Sequence, residues 1–214
     1  MSKKASTLPN MLLALVVIAV VAAGALAAVY AVTKGPIEEQ QQNKVKEAIV
    51  KVLPGFDNQK GNKNIVHDTV TAIDGDKHDV IVHCAYINDT TLFGAAVETY
   101  TDKAFGGEFT IMVGFDAEGN VIGTSVIKAA ETPGLGDKIK SDEFAGQFDV
   151  TNKSKYNNKL NPRSFGEKGL TVKKDGGEVD AITAATISSR AFCDAVNRAA
   201  KGYDKILEKK GVSK

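Results

Sequence analysis

Cysteine and histidine are scarce, with two of one and three of the other in 214 residues. Cys84 and Cys193 form no metal-ligand pair, and neither lies where a lipid could be attached beside the apolar N-terminal run. They leave both a disulfide and two buried thiols open, with the thiols favoured. His67, His78 and His83 lack H-x-x-x-H or similar spacing, so no metal site is expected. An excess of charge of either sign is also missing. Twenty-seven basic residues stand against 26 acidic ones, a net charge of +1, which argues against a dedicated nucleic-acid surface. The glycine-rich phosphate loop with its lysine is absent, which argues against a nucleoside triphosphate site. The chain shows no internal repeat and no second domain boundary, so one globular domain with extensions is expected.

What the chain does have is one long uncharged run, "MLLALVVIAVVAAGALAAVYAV" from Met11 to Val32. As a helix it reaches roughly 33 Å, enough to cross a bilayer. Ala25-Leu26-Ala27 resembles a signal-peptide cleavage site, but the apolar run continues beyond it, so a retained anchor is the better reading. Residues 1–10 then form a cytoplasmic tail, 11–32 the membrane helix and 33–214 an extracytoplasmic domain. The lysine bias across the span is slight, with Lys3 and Lys4 before it and Lys34 after it. A single N-terminal span with a basic head most often exports the rest of its chain, which places the domain on the periplasmic side of the inner membrane.

Pro36 opens a stretch in which Val45, Ala48, Ile49 and Val52 recur at helical spacing until Pro54-Gly55. This predicts an amphipathic helix that continues or follows the membrane helix, and then a polar loop over 56–69. From about Thr69 to Ile127 the pattern alternates through "DVIVHCAYI", "LFGAAVETY", "FTIMVGFD" and "VIGTSVIK". The last two flank Ala117-Glu118-Gly119-Asn120 and predict an antiparallel hairpin. No helical repeat interrupts this section, so the fold class is α+β with an antiparallel sheet and flanking helices. Residues 141–178 read as polar and loop-like, with short strands at "FDVT" and "LTVKK". Ile187, Ala191, Ala195, Val196, Ala199, Tyr203 and Ile206 then trace one apolar face of a C-terminal helix, whose end is rich in lysine.

The start of that helix reads "VDAITAATISSRAF", with the hydroxyls of Thr183, Thr186, Ser188 and Ser189 crowded together. Helix capping needs one of them. A helix start that offers free N–H groups among small residues also suits a phosphate, and the residues leave capping and phosphate binding both open. Upstream, "KAAETPGLGDKI" puts a proline and two glycines within four positions, where backbone can approach a ligand closely or simply turn.

"DAITAATISS" resembles the signature D-x-x-[ST]-G-A-T-x-[ST] of covalent flavoproteins, and "ETPGLGDKI" after "MVGFDAEGNVIGTSV" resembles the same family at the matching distance. The family is that of the G subunit of the Rnf ion-translocating electron transport complex, with the C subunit of the sodium-pumping NADH:quinone reductase as its relative. The resemblance covers nearly the whole chain. It implies one span, an FMN-binding domain, and FMN joined by a phosphoester to Thr186. A flavin transferase would make that bond from FAD with Mg²⁺, releasing AMP. Thr183, Ala184, Ala185, Ser188 and Ser189 would border the phosphate, and Glu131, Thr132, Gly134, Leu135 and Gly136 would lie against the flavin ring. Asp180 would serve recognition by the transferase or cap the helix. Alanine replaces the signature glycine at 184; it fits helical or extended backbone, so attachment is expected to survive.

The implied role is an electron-carrying subunit with no organic substrate of its own and no catalytic residue, whose partners are the other membrane subunits and the transferase. The alternatives are a C subunit of the sodium-pumping type, an anchored binding or assembly module without flavin, and a self-contained flavin enzyme. The last is disfavoured by the lack of a second domain and of a substrate-facing acid, base or nucleophile.

Overall fold

The computed structural model describes residues 8–56, 63–70, 77–87, 91–149, 162 and 168–209. The chain divides into two units, Met1–Lys44 and Val45–Lys214. The first unit contains most of helix α1, which runs over Leu8–Val52 without a break and carries Pro36 inside it. The two helical patterns on either side of Pro36 are thus one helix. Its apolar window is wholly exposed, and the helix is long and apolar enough to cross a membrane.

The second unit is built on a five-stranded sheet in the order β1-β2-β3-β4-β5, every pair antiparallel. The strands are β1 Lys63–Val70, β2 Val80–Ile87, β3 Thr91–Thr101, β4 Phe109–Asp116 and β5 Val121–Lys128. Four of them match the alternating segments of the sequence. β1 corrects the expected polar loop over 56–69, since its residues pair with β2 through His67 opposite His83 and Val66 opposite Cys84. Between β4 and β5 the turn closes as expected. The Asp116 carboxylate accepts from the Asn120 N–H at 2.7 Å and from its side-chain amide at 2.9 Å, and Gly119 supplies the positive φ of +83°.

Period-two alternation sends successive side chains to opposite faces, and both faces are covered. One face presents Val82, Cys84, Val97, Ile111, Val113 and Phe115 to helix α3, Thr186–Lys209. The other presents Ala85, Ala96 and Met112 to the last turns of α1, through Ala48, Ile49 and Val52, and to Leu53 and Phe56. Small residues on this second face bring the helix close: a Cβ on Gly114 would overlap the Val52 carbonyl oxygen and stand 2.8 Å from its carbon. At the far end of α3, Tyr203 stacks on Phe115 at 4.9 Å and donates to the Asp116 carbonyl at 2.9 Å, tying the helix to the β4–β5 hairpin.

The segment read as loop-like holds structure instead. A 3₁₀ turn over Gly136–Lys140 leads into α2, Asp142–Ala145, where the Ser141 hydroxyl accepts from the Phe144 N–H. The polar composition hides two core anchors, Phe144 and Phe148, whose rings meet Phe192 at 5.2 and 5.0 Å. The strand expected at "FDVT" is absent at Phe148 and Asp149, and its other half lies outside the described residues. "LTVKK" yields only an isolated bridge, Val172 to Val179, followed by a 3₁₀ turn over Lys173–Asp175.

Cys84 and Cys193 are not joined in a disulfide, and each is 2 % exposed. Burial pushes the Cys193 thiol up to about 12. Because the thiolate is the reactive form, iodoacetamide at pH 8 should leave both cysteines unmodified in the native protein and alkylate both in denaturant. Alkylation of Cys193 without denaturant, read by mass, would contradict this burial.

Candidate functional site

Two turns of the same kind meet at the end of the sheet. In the first, Leu135 N–H bonds to the Thr132 carbonyl at 3.1 Å, with Pro133 and Gly134 between them and Gly134 at φ +75°. Proline followed by a positive-φ glycine is the signature of a type II turn, so the "ETPG" sequence dictates this geometry. In the second, Ala185 N–H bonds to the Ile182 carbonyl at 3.0 Å across Thr183 and Ala184. Here the positive-φ position is Ala184, at +61°. This corrects the expectation that Ala184 adopts helical or extended backbone. A left-handed alanine costs about 1 kcal/mol, so Ala184→Gly should raise stability by about that amount. A thermal melt showing no gain would contradict the strained turn.

The turns are joined by a buried carboxylate. Glu131 is 7 % exposed; Oε1 accepts from the Gly106 N–H at 3.1 Å and Oε2 from the Ser188 hydroxyl at 2.8 Å. Gly136 leaves room for it, because a Cβ there would overlap Oε2. The result is a cleft of about 200 Å³ in which Glu131, Thr132, Leu135 and Gly136 from the first motif face Ala184, Ala185 and Ser188 from the second. Phe105 and Ile187 complete the lining. Sequence reasoning does not find either as a site residue, and Ile187 departs from the apolar face assigned to it in α3. Outside α1 only four large apolar side chains are exposed among the described residues. Three of them, Phe105 (72 %), Leu135 (42 %) and Ile187 (49 %), ring this cleft, which is what a site for a flat apolar ligand requires.

The four hydroxyls separate by role. Ser189 is fully buried; it accepts from the Ile182 N–H and donates to the Ala185 carbonyl, both at 3.0 Å, stitching the turn to the helix. Ser188 is committed to Glu131. Thr186, the first residue of α3, receives a hydrogen bond from Lys174 Nζ at 3.2 Å. Thr183 is exposed and lines a neighbouring cleft of about 240 Å³ with Lys138, Gln147 and Asp180.

Lys174 lies in a segment without periodic signal; it comes to Thr186 through the 3₁₀ turn at 173–175. Arg190 reaches back to that turn, and its guanidinium holds the Asp175 carboxyl below the usual carboxylate range. Asp180 pairs with Lys173 at 2.8 Å and does not cap α3. Its backbone is clamped by the buried Gln147, which accepts from the Asp180 N–H at 2.7 Å and donates to its carbonyl at 3.2 Å.

Two family models match the chain, an FMN-binding domain over residues 105–201 and the RnfG N-terminal region over 13–52. The G subunit of the ion-translocating oxidoreductase complex of Aliivibrio fischeri is 32% identical over 92% of this chain and 91% of its own length. That of Shewanella amazonensis is 31% identical over 84% of this chain and 80% of its own.

The chain belongs to this RnfG family.

Two solved structures share its fold. The C subunit of the Na⁺-translocating NADH-quinone reductase from Parabacteroides distasonis superposes with a TM-score of 0.51 at 18% identity, covering 80% of this chain and 95% of that one. Shewanella oneidensis NqrC does so with 0.53 at 15%, covering 82% and 100%. In this RnfG chain the FMN-binding match contains both turns and the whole cleft.

Proposed function

We propose that this chain is the membrane-anchored electron-transfer subunit of an Rnf-type ion-translocating oxidoreductase complex, with FMN held covalently by its phosphate on Thr186. The reading rests on one observation above all: two motifs far apart in sequence line a single apolar-rimmed cleft, and Thr186, whose hydroxyl accepts from the Lys174 ammonium group, lies in the chain between two of its lining residues, Ala185 and Ile187.

The residues suit the flavin. Phe105, Leu135 and Ile187 offer apolar surface to a ring, while Lys174 and the N-terminus of α3 offer positive charge to a phosphodiester. The cleft is smaller than the ~300 Å³ at which ordinary ligand pockets begin, so a flavin there stays open to solvent and to redox partners. Bound FMN supplies electron transfer; the chain needs no acid or base aimed at an organic substrate.

Attachment draws on FAD and a transferase with Mg²⁺. Thr186 Oγ1 bonds to the flavin-side phosphorus, the pyrophosphate bond breaks, AMP leaves and the hydroxyl proton passes to solvent. A domain facing the periplasm gives the covalent bond its purpose, since a carrier there would otherwise lose its flavin by dilution, and α1 keeps it near its partner subunits.

The test is peptide mass spectrometry of the full chain produced with a flavin transferase. The peptide containing Thr186 should carry FMN less one water. An unmodified peptide from fully folded protein would sink the reading and leave an anchored assembly module, with the strained Ala184 as its cause.

A further inference from the structure

Glu131 does more than join the two turns. It is a buried carboxylate in the floor of an otherwise apolar-rimmed cleft. Both of its oxygens accept hydrogen bonds, from the Gly106 amide and the Ser188 hydroxyl. Among the described residues no lysine, arginine or histidine pairs with it. Neutral donors spread this charge without cancelling it. Gly136, where any side chain would collide with Oε2, keeps the carboxylate in place.

We infer that Glu131 is a redox-tuning residue, whose fixed negative charge lowers the potential of the flavin bound in this cleft. The inference rests on the proposed flavin site. Each electron added there brings negative charge into a low-dielectric space that already contains a carboxylate, and like charges repel more strongly there than in water. The bound group is therefore harder to reduce and gives up its electron more readily to a partner.

Glu131→Gln isolates the charge. The amide is isosteric: its oxygen can still accept from Gly106, and its nitrogen can donate to Ser188 once that hydroxyl rotates. Ser188→Ala does the reverse, keeping the charge and removing a donor that shields it. A purely structural Glu131 would loosen the same cleft in both variants and move the potential in the same direction. A charge effect moves it in opposite directions.

The experiment is a spectroelectrochemical titration of the flavin-loaded full chain, after mass spectrometry has established the loading of Thr186. That step separates failure of the flavin reading from failure of this inference. Glu131→Gln should favour the reduced flavin on the order of tenfold, about 59 mV positive for a one-electron step. Ser188→Ala should shift the potential negative. Urea midpoints of the unloaded variants give a second readout, with Ser188→Ala the less stable because it leaves a buried carboxylate short of a partner. An unchanged potential in Glu131→Gln overturns the inference, as does a shift of the same sign in both variants. If Glu131→Gln does not load, Ser188→Ala decides: a positive shift or none overturns it.

Discussion

Thr186→Ala should abolish the flavin that stays with the protein after denaturation, bringing in-gel fluorescence to background, while Thr183→Ala keeps it. The sequence offers two threonines in one short motif, and geometry separates them. Thr186 sits on the first turn of α3, with Lys174 Nζ 3.2 Å from its hydroxyl, whereas Thr183 turns toward a different cleft. The loss should not come from misfolding. Thr186 is only half-buried and caps nothing, so its removal should change stability by no more than about 0.5 kcal/mol. Lys174→Ala should slow attachment without preventing it, because the helix N-terminus still attracts the phosphate. Retained covalent flavin in Thr186→Ala would contradict the assignment.

Gly114→Ala should be the most damaging single methyl that can be added to the sheet. The new Cβ would meet the Val52 carbonyl, a backbone atom fixed by the end of α1, with no flexible side chain to yield. Overpacking of this kind costs about 1–3 kcal/mol. For a domain of this size that lowers the melting temperature by about 2–12 °C, read by near-ultraviolet circular dichroism of the full chain in detergent. Gly107→Ala, where a φ of +92° and no clash is at stake, should cost less. Equal melting temperatures for Gly114→Ala and the unsubstituted protein would show that the helix end is not seated as described.

The sheet is legible in the sequence because four strands carry the period-two pattern and a turn with glycine and asparagine. β1 is not, since "KNIVHDTV" alternates too weakly among polar neighbours and is defined by its partner β2. Phe144 and Phe148 stay hidden because two aromatic residues in a polar stretch give no periodicity, although together they anchor a turn. Within the site, the turn-forming "ETPG" and the hydroxyl cluster are visible, and their meeting is implied by resemblance alone. Lys174 and Phe105 cannot be found from sequence, because an irregular turn brings the one to Thr186 and the other to the cleft. The conformation of Ala184 runs against expectation for a definite reason: intrinsic preference argues against positive φ, and the Ile182–Ala185 hydrogen bond together with Ser189 imposes it. Ile187 fits the helical repeat but lies where α3 runs past the edge of the core.

The order of the strands has a consequence for biogenesis. Each strand pairs with its neighbour in sequence, so the sheet can zip up hairpin by hairpin from contacts of short range. Its α3 face nevertheless stays bare until that helix is made, because α3 follows all five strands in sequence. One side of the cleft, Ala184 and Ala185 with Ile187 and Ser188, arrives with the start of the same helix. A nascent chain that still lacks α3 therefore has a bare apolar sheet and an incomplete cleft, and Thr186 arrives only with that helix.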